Sequence, residues 1–247
     1  IATITLNRPE KLNALNWNLA EWELPAVFKE VGQSESIKVV IITGAGRGFC
    51  TGADVGGVEA RKERPRKPIR EPLENAALSL SKLDKVTIAA VNGVAAGMGF
   101  SLAMACDMRI VSEEAKFTSG FVRRGLIPDS GLAYFLPRVI GTGKSLELML
   151  TDDMINAREA ERIGIANRVV KHEELMKETK DLATKIAKGP PLATFWTKHA
   201  VYVGLSHDLE DHLYFETQAQ RLLMRTEDFK EGMTAFLEKR PPVFKGR

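Results

Sequence analysis

The residues with the clearest chemical potential are glycines placed where a predicted strand meets a predicted helix. The apolar run Val86–Val91 is typical of a buried strand, and Gly97 and Gly99 then flank Met98 before an apolar helical stretch. Glycine lets backbone approach a ligand closely, and the first turn of a helix carries N–H groups without internal partners. The stretch predicts a site for a negatively charged atom, with a plain strand–turn–helix corner as the alternative.

A second glycine-marked turn follows another short apolar run. Residues 39–43 are typical of a fully buried strand, glycines between 44 and 48 end it, and the next turn lies in Phe49–Asp54. The turn at Gly97 is not a GxGxxG motif, and no Gly-Lys-Ser/Thr follows it as in a phosphate-binding loop. Two strand-then-turn units in succession predict a repeated ββα-like organisation rather than separate domains.

One acidic residue stands at the start of a predicted helix. Asp129 lies in the turn Pro128–Gly131, directly before an apolar stretch that reaches about Ile140. Its carboxylate could cap a helix that begins at Ser130, or it could transfer protons as a general acid or base. On the residues alone both roles stay open.

The segment from Glu59 to Glu74 differs in composition from the rest of the chain, because it combines six basic residues with three prolines. It predicts an exposed connection or, alternatively, a basic lid near a phosphate-bearing ligand. Glu74 is either a solvated surface carboxylate or a group that approaches the site.

Composition restricts the function classes. The chain has 247 residues, 44% hydrophobic and 27% charged, as in a soluble globular protein. A net charge of +3 does not favour nucleic acid and is compatible with an anionic small molecule. Cys50 and Cys106 lack metal-binding spacing, so we expect buried free thiols in a reducing compartment. No apolar run has the length of a membrane span. We expect a cytoplasmic protein, although a chain that begins inside a strand-like run leaves targeting open.

Hydrophobic periodicity places further elements around the two turns. Residues 1–6 predict a strand, and the spacing over Asn13–Val31 predicts a helix that is bent or broken near Pro25. A helix over residues 73–83 leads into the strand at 86–91. Short helices and strands are predicted up to residue 187, and three further helices follow, at 191–203, 209–224 and 227–238.

Five segments together resemble the crotonase (enoyl-CoA hydratase/isomerase) superfamily over essentially the whole chain. In family order they are ITLNRPEKLNAL (4–15), VVIITGAGRGFCTGAD (39–54), AAVNGVAAGMGFSLAMACDMRI (89–110), GLIPDSGLAYFLPRVIG (125–141) and RPPVFKGR (240–247). The resemblance implies an α/β fold, a crotonase-like spiral of ββα units with a C-terminal α-helical region. We therefore expect a core at residues 1–190 and a helical oligomerisation region at 191–247, in a homotrimer or hexamer.

The resemblance also implies an acyl-CoA thioester as partner, with coenzyme A as part of the substrate and no separate cofactor or metal. In that family the thioester oxygen accepts two backbone N–H bonds, and the matching amides here are those of Ala53 and Met98. Such donors stabilise the enolate that forms when a proton leaves the carbon beside the thioester.

The two glutamates with which the family's hydratases handle water and proton are absent. Ser101 and Phe121 stand at the matching positions, and neither moves a proton usefully at neutral pH. The remaining carboxylate is Asp129, and some isomerases of the superfamily place their acidic residue in a similar PDSG stretch. Apolar surroundings made of Phe121, Leu126 and Phe135 would raise the pKa of Asp129 and make it a better base.

Other positions match the family's contacts with substrate. The implied substrate-binding residues are Lys11, Leu12, Asp54, Gly97, Ser101, Phe121, Phe244 and Lys245. For Asp54 the alternative is a cap within its own turn, and for Ser101 it is a bond to its own helix backbone.

The sequence therefore predicts an enoyl isomerase-type enzyme that holds a thioester oxygen on two amides while Asp129 shuttles a proton. A hydratase or hydrolase, in which Asp129 and Ser101 hold water, is the first alternative. A non-catalytic acyl-CoA-binding homologue is the second. RNA binding through the basic residues 61–70 has little support from the net charge.

Overall fold

The structure is a computed structural model that describes residues 1–54 and 76–247. The predictions for the basic segment Glu59–Glu74 lie outside these residues. The strands are β1 (Ala2–Leu6), β2 (Val39–Gly44), β3 (Gly48–Cys50), β4 (Val86–Val91), β5 (Val94–Ala96), β6 (Met108–Ser112), β7 (Lys116–Thr118), β8 (Ile155–Asn156) and β9 (Arg168–Val170). The α-helices are α1 (Leu24–Gln33), α2 (Ala76–Ser81), α3 (Met98–Ala105), α4 (Leu132–Ile140), α5 (Thr142–Thr151), α6 (Ala157–Arg162), α7 (Leu175–Ala187), α8 (Pro191–Gly204), α9 (Leu209–Leu223) and α10 (Glu227–Glu238).

Two sheets organise the core. The larger is parallel, in the order β1-β2-β4-β6-β9, and the smaller has the order β3-β5-β7-β8, with an antiparallel pair at its β7–β8 edge. All six residues of β2 and of β4 are buried. Strands covered on both faces are expected to be continuously apolar, and this explains why these two runs do not alternate with polar residues. The predicted mixed α/β fold with a C-terminal helical region is confirmed.

Helices cover both faces of the larger sheet. On one face, residues of α1, α2 and α3 pack with Val40, Ile42 and Ala89 in the main core cluster. On the other face, Leu175 and Ala183 of α7 pack in a second cluster with alternate residues of β2 and β4. Every residue of α3 except Met98 is buried, so the helix that follows the Gly97 turn is held firmly inside the molecule.

The helix predicted over residues 13–31 is wrong in its first part. Asn13 has a left-handed φ of 57°, and its side-chain amide donates to the carbonyl oxygen of Gly48. Leu15 forms a parallel bridge with Ala53. Because the Asn13 side chain offers the backbone these long-range contacts, the segment runs along the end of the small sheet instead of forming a helical turn.

Two helix starts also differ from the sequence-based expectation. A π-helical turn at Leu19–Glu23 continues into α1, so Pro25 falls in the first turn of α1, where a missing N–H is tolerated. The helix after Asp129 begins at Leu132, because Ser130 has a φ of 51° and Gly131 is the N-cap residue. The N-cap residue of α4 is Gly131, so the interpretation that Asp129 is the N-cap residue of a helix beginning at Ser130 is wrong.

The C-terminal helices α8, α9 and α10 follow the core with few buried side chains of their own. A buried ion pair connects α8 to the core: the Nζ of Lys198 lies 2.8 Å from Oδ2 of Asp107. None of the helices in residues 1–54 and 76–247 has the length and apolar composition needed to cross a membrane.

Candidate active site

In the turn after β3, the N–H of Ala53 points away from the adjacent segment at Leu15. The N–H of Leu15 donates to the carbonyl of Gly52 over 2.7 Å, and the N–H of Asp54 donates back to Leu15 over 2.9 Å. Consecutive N–H groups of an extended segment point to opposite sides. The Ala53 N–H therefore faces away from Leu15, and no group in the described part of the chain accepts it.

The turn before α3 presents the amide of Met98 in the same way. Gly97 is the N-cap residue, with φ 54° and ψ −126°, and its own N–H donates to the carbonyl of Thr118 over 3.2 Å. The first N–H groups of a helix have no intrahelical acceptor. Within residues 1–54 and 76–247, the Met98 N–H also has no acceptor elsewhere, so it remains available at the positive end of α3.

The two turns are packed directly against each other. A Cβ atom at Gly99 would overlap the carbonyl of Cys50, and a Cβ atom at Gly52 would lie 2.9 Å from the Ala96 oxygen and 3.4 Å from the Met98 nitrogen. Glycine is required here because the two backbones touch. The structure thus brings together the two glycine turns that the sequence marks separately, each with an N–H group that no described residue accepts.

Asp129 is connected to the same helix through its backbone. The Ser101 hydroxyl lies 3.0 Å from the carbonyl oxygen of Asp129 and 3.2 Å from that of Gly97. Ser101 is fully buried, whereas Asp129 is exposed. The hydroxyl bonds its own helix, as one alternative expected, and in addition it joins the Asp129 turn to the first turn of α3.

The aromatic residue at the second glutamate position forms a wall beside these groups. Phe121 is buried, and its ring atom Cζ lies 3.8 Å from the position that a Cβ at Gly97 would occupy. The expectation of an apolar enclosure for Asp129 is wrong: Asp129 is exposed, and Leu126, which follows the tight turn at Gly125, is 55% exposed. Phe135 is half-buried and packs against the main core.

The predicted substrate contacts near the N-terminus are arranged around one carboxylate. Oδ2 of Asp54 lies 2.8 Å from both Nη2 of Arg8 and Nζ of Lys11. Leu12 has a left-handed backbone and packs against Gly48. Arg8 is not among the predicted site residues, because its pairing with Asp54 joins positions 46 residues apart and leaves no local signal.

The two C-terminal candidates lie in a different environment. Phe244 lines a cavity of about 300 Å³ between α8, α9 and α10, and none of the residues of the two glycine turns lines it. The N–H of Lys245 donates to Oδ1 of Asp228 over 2.7 Å. Within one chain Lys245 therefore contacts the first turn of α10, and a role of Phe244 and Lys245 in substrate binding stays a prediction.

Other nucleophiles and bases of the described chain are poor candidates. Burial raises the pKa of Cys50 and of Cys106 to about 12, so both thiols stay protonated at neutral pH. His172 contacts Ser112, and the other histidines lie in α8, in α9 and between them. Within the described residues, no group of three His, Cys, Asp or Glu side chains is placed to hold a metal ion.

Comparisons with known proteins agree with one another. The enoyl-CoA hydratase/isomerase family model matches residues 1–247. The 1,2-epoxyphenylacetyl-CoA isomerase of Escherichia coli is 37% identical over 251 residues, which cover 100% of this chain and 95% of that protein. The short-chain-enoyl-CoA hydratase of Clostridium acetobutylicum is 38% identical, with 97% and 92% covered. The crystal structure of an enoyl-CoA hydratase from Bacillus anthracis is 35% identical, with a TM-score of 0.89 and coverage of 99% and 95%.

Proposed function

Because the chain belongs to the enoyl-CoA hydratase/isomerase family, we propose that it is an isomerase that shifts a double bond in an acyl-CoA thioester. The observation that carries this proposal is that the N–H groups of Ala53 and Met98, which have no acceptor in the described part of the chain, lie in two turns in direct contact, while the Ser101 hydroxyl connects the backbone of Asp129 to the same helix start. The two positions that matched the hydratase glutamates hold a serine that bonds only backbone carbonyls and a buried phenylalanine.

The mechanism divides the work between the amides and the carboxylate. The thioester oxygen accepts hydrogen bonds from the Ala53 and Met98 N–H groups. Asp129 takes a proton from C2, the C2–H electron pair enters the enolate that the amides stabilise, and the same carboxyl returns the proton to C4. The double bond thereby moves from C3=C4 to C2=C3, no atom is gained or lost, and no water is needed. The substrate-binding residues predicted from the sequence would hold the CoA part.

The direct test is Asp129→Asn assayed with 3-enoyl-, ring- and aryl-acetyl-CoA esters. The amide cannot accept the C2 proton, so we expect isomerisation to fall by a factor of about 10² or more. Asp153→Asn is the control, because this carboxylate is 66% exposed and its ion pair in the described part of the chain is with Arg123. Undiminished isomerisation in a folded Asp129→Asn protein would rule out Asp129 as the base.

The second candidate is a hydratase, which the name of the Clostridium relative favours. In that case water would add across the double bond, with Asp129 and Ser101 as its nearest polar groups. Incubation with a 2-enoyl-CoA ester in ¹⁸O-labelled water distinguishes the two reactions, since only hydration places the label in the acyl chain. A non-catalytic acyl-CoA-binding protein would bind these esters without turnover, and Asp129→Asn would then change nothing.

We further propose that residues 191–247 mediate assembly into a homotrimer or hexamer. Leu209, Tyr214, Phe236 and Leu237 in this region are each more than two-thirds exposed in the single chain, and such apolar surface is typical of an interface. Sedimentation equilibrium of the wild type and of Phe236→Glu tests this assembly. A monomeric wild-type protein would contradict it.

A further inference from the structure

A buried carboxylate at the end of α5 holds the loop that carries Phe121. Asp152 follows α5 directly and is 5% exposed. Its Oδ1 accepts the N–H of Gly120 over 2.7 Å, and its Oδ2 accepts the N–H of Arg123 over 2.8 Å. The two oxygens therefore bind the backbone on either side of Phe121.

Side chains of the loop also donate hydrogen bonds to backbone carbonyls at the end of α5. Nε and Nη2 of Arg123 lie 3.0 and 2.7 Å from the carbonyl oxygen of Thr151, and Oγ1 of Thr118 donates to the carbonyl of Asp152 over 3.0 Å. Together these bonds fasten residues 118–123 to the C-terminal end of α5. We call this set of contacts the Asp152 latch.

An aspartate is not the residue that the C-terminal end of α5 would favour by itself. Asp152 is the C-cap residue of α5 with a left-handed φ of 54°, a conformation that glycine adopts more readily than aspartate. A carboxylate at a helix C-terminus also faces the negative end of the helix dipole, and its burial removes it from water. The hydrogen bonds from the loop to the Asp152 carboxylate offset these costs. The role of this aspartate is therefore to fix the position of the loop.

That loop position places an aromatic ring beside the candidate oxyanion site. The carbonyl of Phe121 accepts the N–H groups of Arg124 and Leu126, so its backbone is held on both sides. Its ring then packs against Gly97, one residue before the Met98 amide. A small movement of the loop would change the width of the space in front of that amide.

We infer that Asp152 is a positioning residue that sets the acyl-group selectivity of the site by holding the Phe121 ring as one of its walls. This inference rests on the proposed function for the location of the acyl group. Asp152 does not touch the reacting atoms. Release of the latch lets the ring move away from Gly97, so bulky acyl groups gain affinity relative to small ones.

The test is the Asp152→Gly variant, because glycine accepts the left-handed backbone without strain and removes only the carboxylate. The readout is the ratio of dissociation constants for a four-carbon 2-enoyl-CoA ester and phenylacetyl-CoA, measured by calorimetry. We expect this ratio to shift about tenfold towards phenylacetyl-CoA. Phe121→Ala should produce the same shift, and the double variant should add nothing further, since both changes remove one wall.

Asp153→Gly is the matched control, because it removes the same charge from the adjacent exposed position and should leave the ratio unchanged. Asp152→Asn is the second variant should the glycine protein not fold: it keeps one acceptor and should shift the ratio partly, in the same direction. Equal weakening for both esters, or additive shifts in the double variant, would overturn the inference. A wild-type protein that binds neither ester refutes the proposed function instead.

Discussion

The hydroxyl of Ser101 lies 3.0 Å from the carbonyl oxygen of Asp129, across 28 residues of sequence. Ser101 is in the first turns of α3, the helix whose first residue, Met98, has an N–H without an acceptor in residues 1–54 and 76–247. One buried hydroxyl thus relates the position of the proposed base to the position of the proposed oxyanion donor. Serine does not act as an acid or base at this site, but Ser101 still connects these two groups.

Removal of the Ser101 hydroxyl should loosen the position of Asp129 relative to the N–H of Met98. We expect Ser101→Ala to lower kcat by a factor of about 10 to 100 with little change in KM, because small misplacements of a catalytic group have effects of this size. Ser101→Thr, which keeps the hydroxyl, should restore most of the activity. Steady-state kinetics of double-bond migration provide the measurement.

The control for Ser101 is Ser145→Ala. Ser145 is also buried, also lies four residues after a glycine N-cap, and donates to the carbonyl of that glycine, Gly141, over 2.7 Å. It has the same local geometry as Ser101 without a bond to Asp129. Equal losses of kcat in both alanine variants would show that Ser101 has only a helix-stabilising role.

The contact between the two turns can be tested at Gly52. A Cβ there would lie 2.9 Å from the Ala96 oxygen, and the residue has a φ of 92°. Gly52→Ala should therefore displace the Ala53 amide and lower kcat by about 10²–10³, the usual effect of losing one oxyanion donor. Gly143→Ala, in α5 with nothing within 4 Å of its Cβ position, should leave kcat unchanged. An active Gly52→Ala enzyme would contradict the role of this amide.

Local features of the site were predictable from the sequence. The strand β4, the turn at Gly97 and the start of α3 follow from an apolar run, glycines and helical spacing that lie within 25 residues of each other. Family resemblance then connected this turn to the one at Gly52. Whether Ala53 and Met98 bind the thioester oxygen stays a prediction.

The relationships that required the structure all span long distances in sequence. The Ser101–Asp129 bond, the Arg8–Asp54 pair and the Asp152 latch join residues that no periodicity relates. The same cause explains the helix wrongly predicted from Asn13. Its apolar spacing is helical, but the tertiary contact of its side chain with Gly48 decides the backbone.

The buried ion pair of Lys198 and Asp107, which connects α8 to the core, should contribute to the stability of the fold. Nζ of Lys198 donates to Oδ2 of Asp107 and to the carbonyls of Leu83 and Lys85, and the two charged side chains are 9% and 14% exposed. Lys198→Met leaves the Asp107 carboxylate buried without its cation. We expect the free energy of unfolding to fall by about 3–5 kcal/mol, measured by urea denaturation at fixed protein concentration.

The matched control for this pair is Lys177→Met, because Lys177 is 73% exposed and lies 3.8 Å from Asp181. Exposed pairs contribute little, so we expect a change within about 0.5 kcal/mol. If Lys198→Met destabilised the protein no more than this control, α8 would not depend on the pair for its attachment.

The stability of the folded chain should depend on pH through the ionisation of Glu231 in α10. Its carboxylate accepts Nη1 and Nη2 of Arg240 over 2.7 and 2.9 Å and the N–H of Val243 over 2.8 Å. The Arg240 bonds, followed by the backbone bond, lower the pKa of Glu231 from 4.5 to about 2. A carboxyl whose pKa is lower in the folded state stabilises that state above its ordinary pKa, and the stabilisation is lost as the pH falls towards 2.

The comparison is therefore between wild type and Glu231→Gln over a range of pH. We expect the wild type to melt at the higher temperature at pH 7. The difference should shrink steadily between pH 4.5 and pH 3, because in this range the carboxyl of the unfolded chain takes up a proton while that of the folded chain stays ionised. Glu30→Gln, at an exposed position of α1 without an ion pair in the described part of the chain, should show no such trend. A difference that stayed constant down to pH 3 would mean that Glu231 does not hold the segment after α10 through its charge.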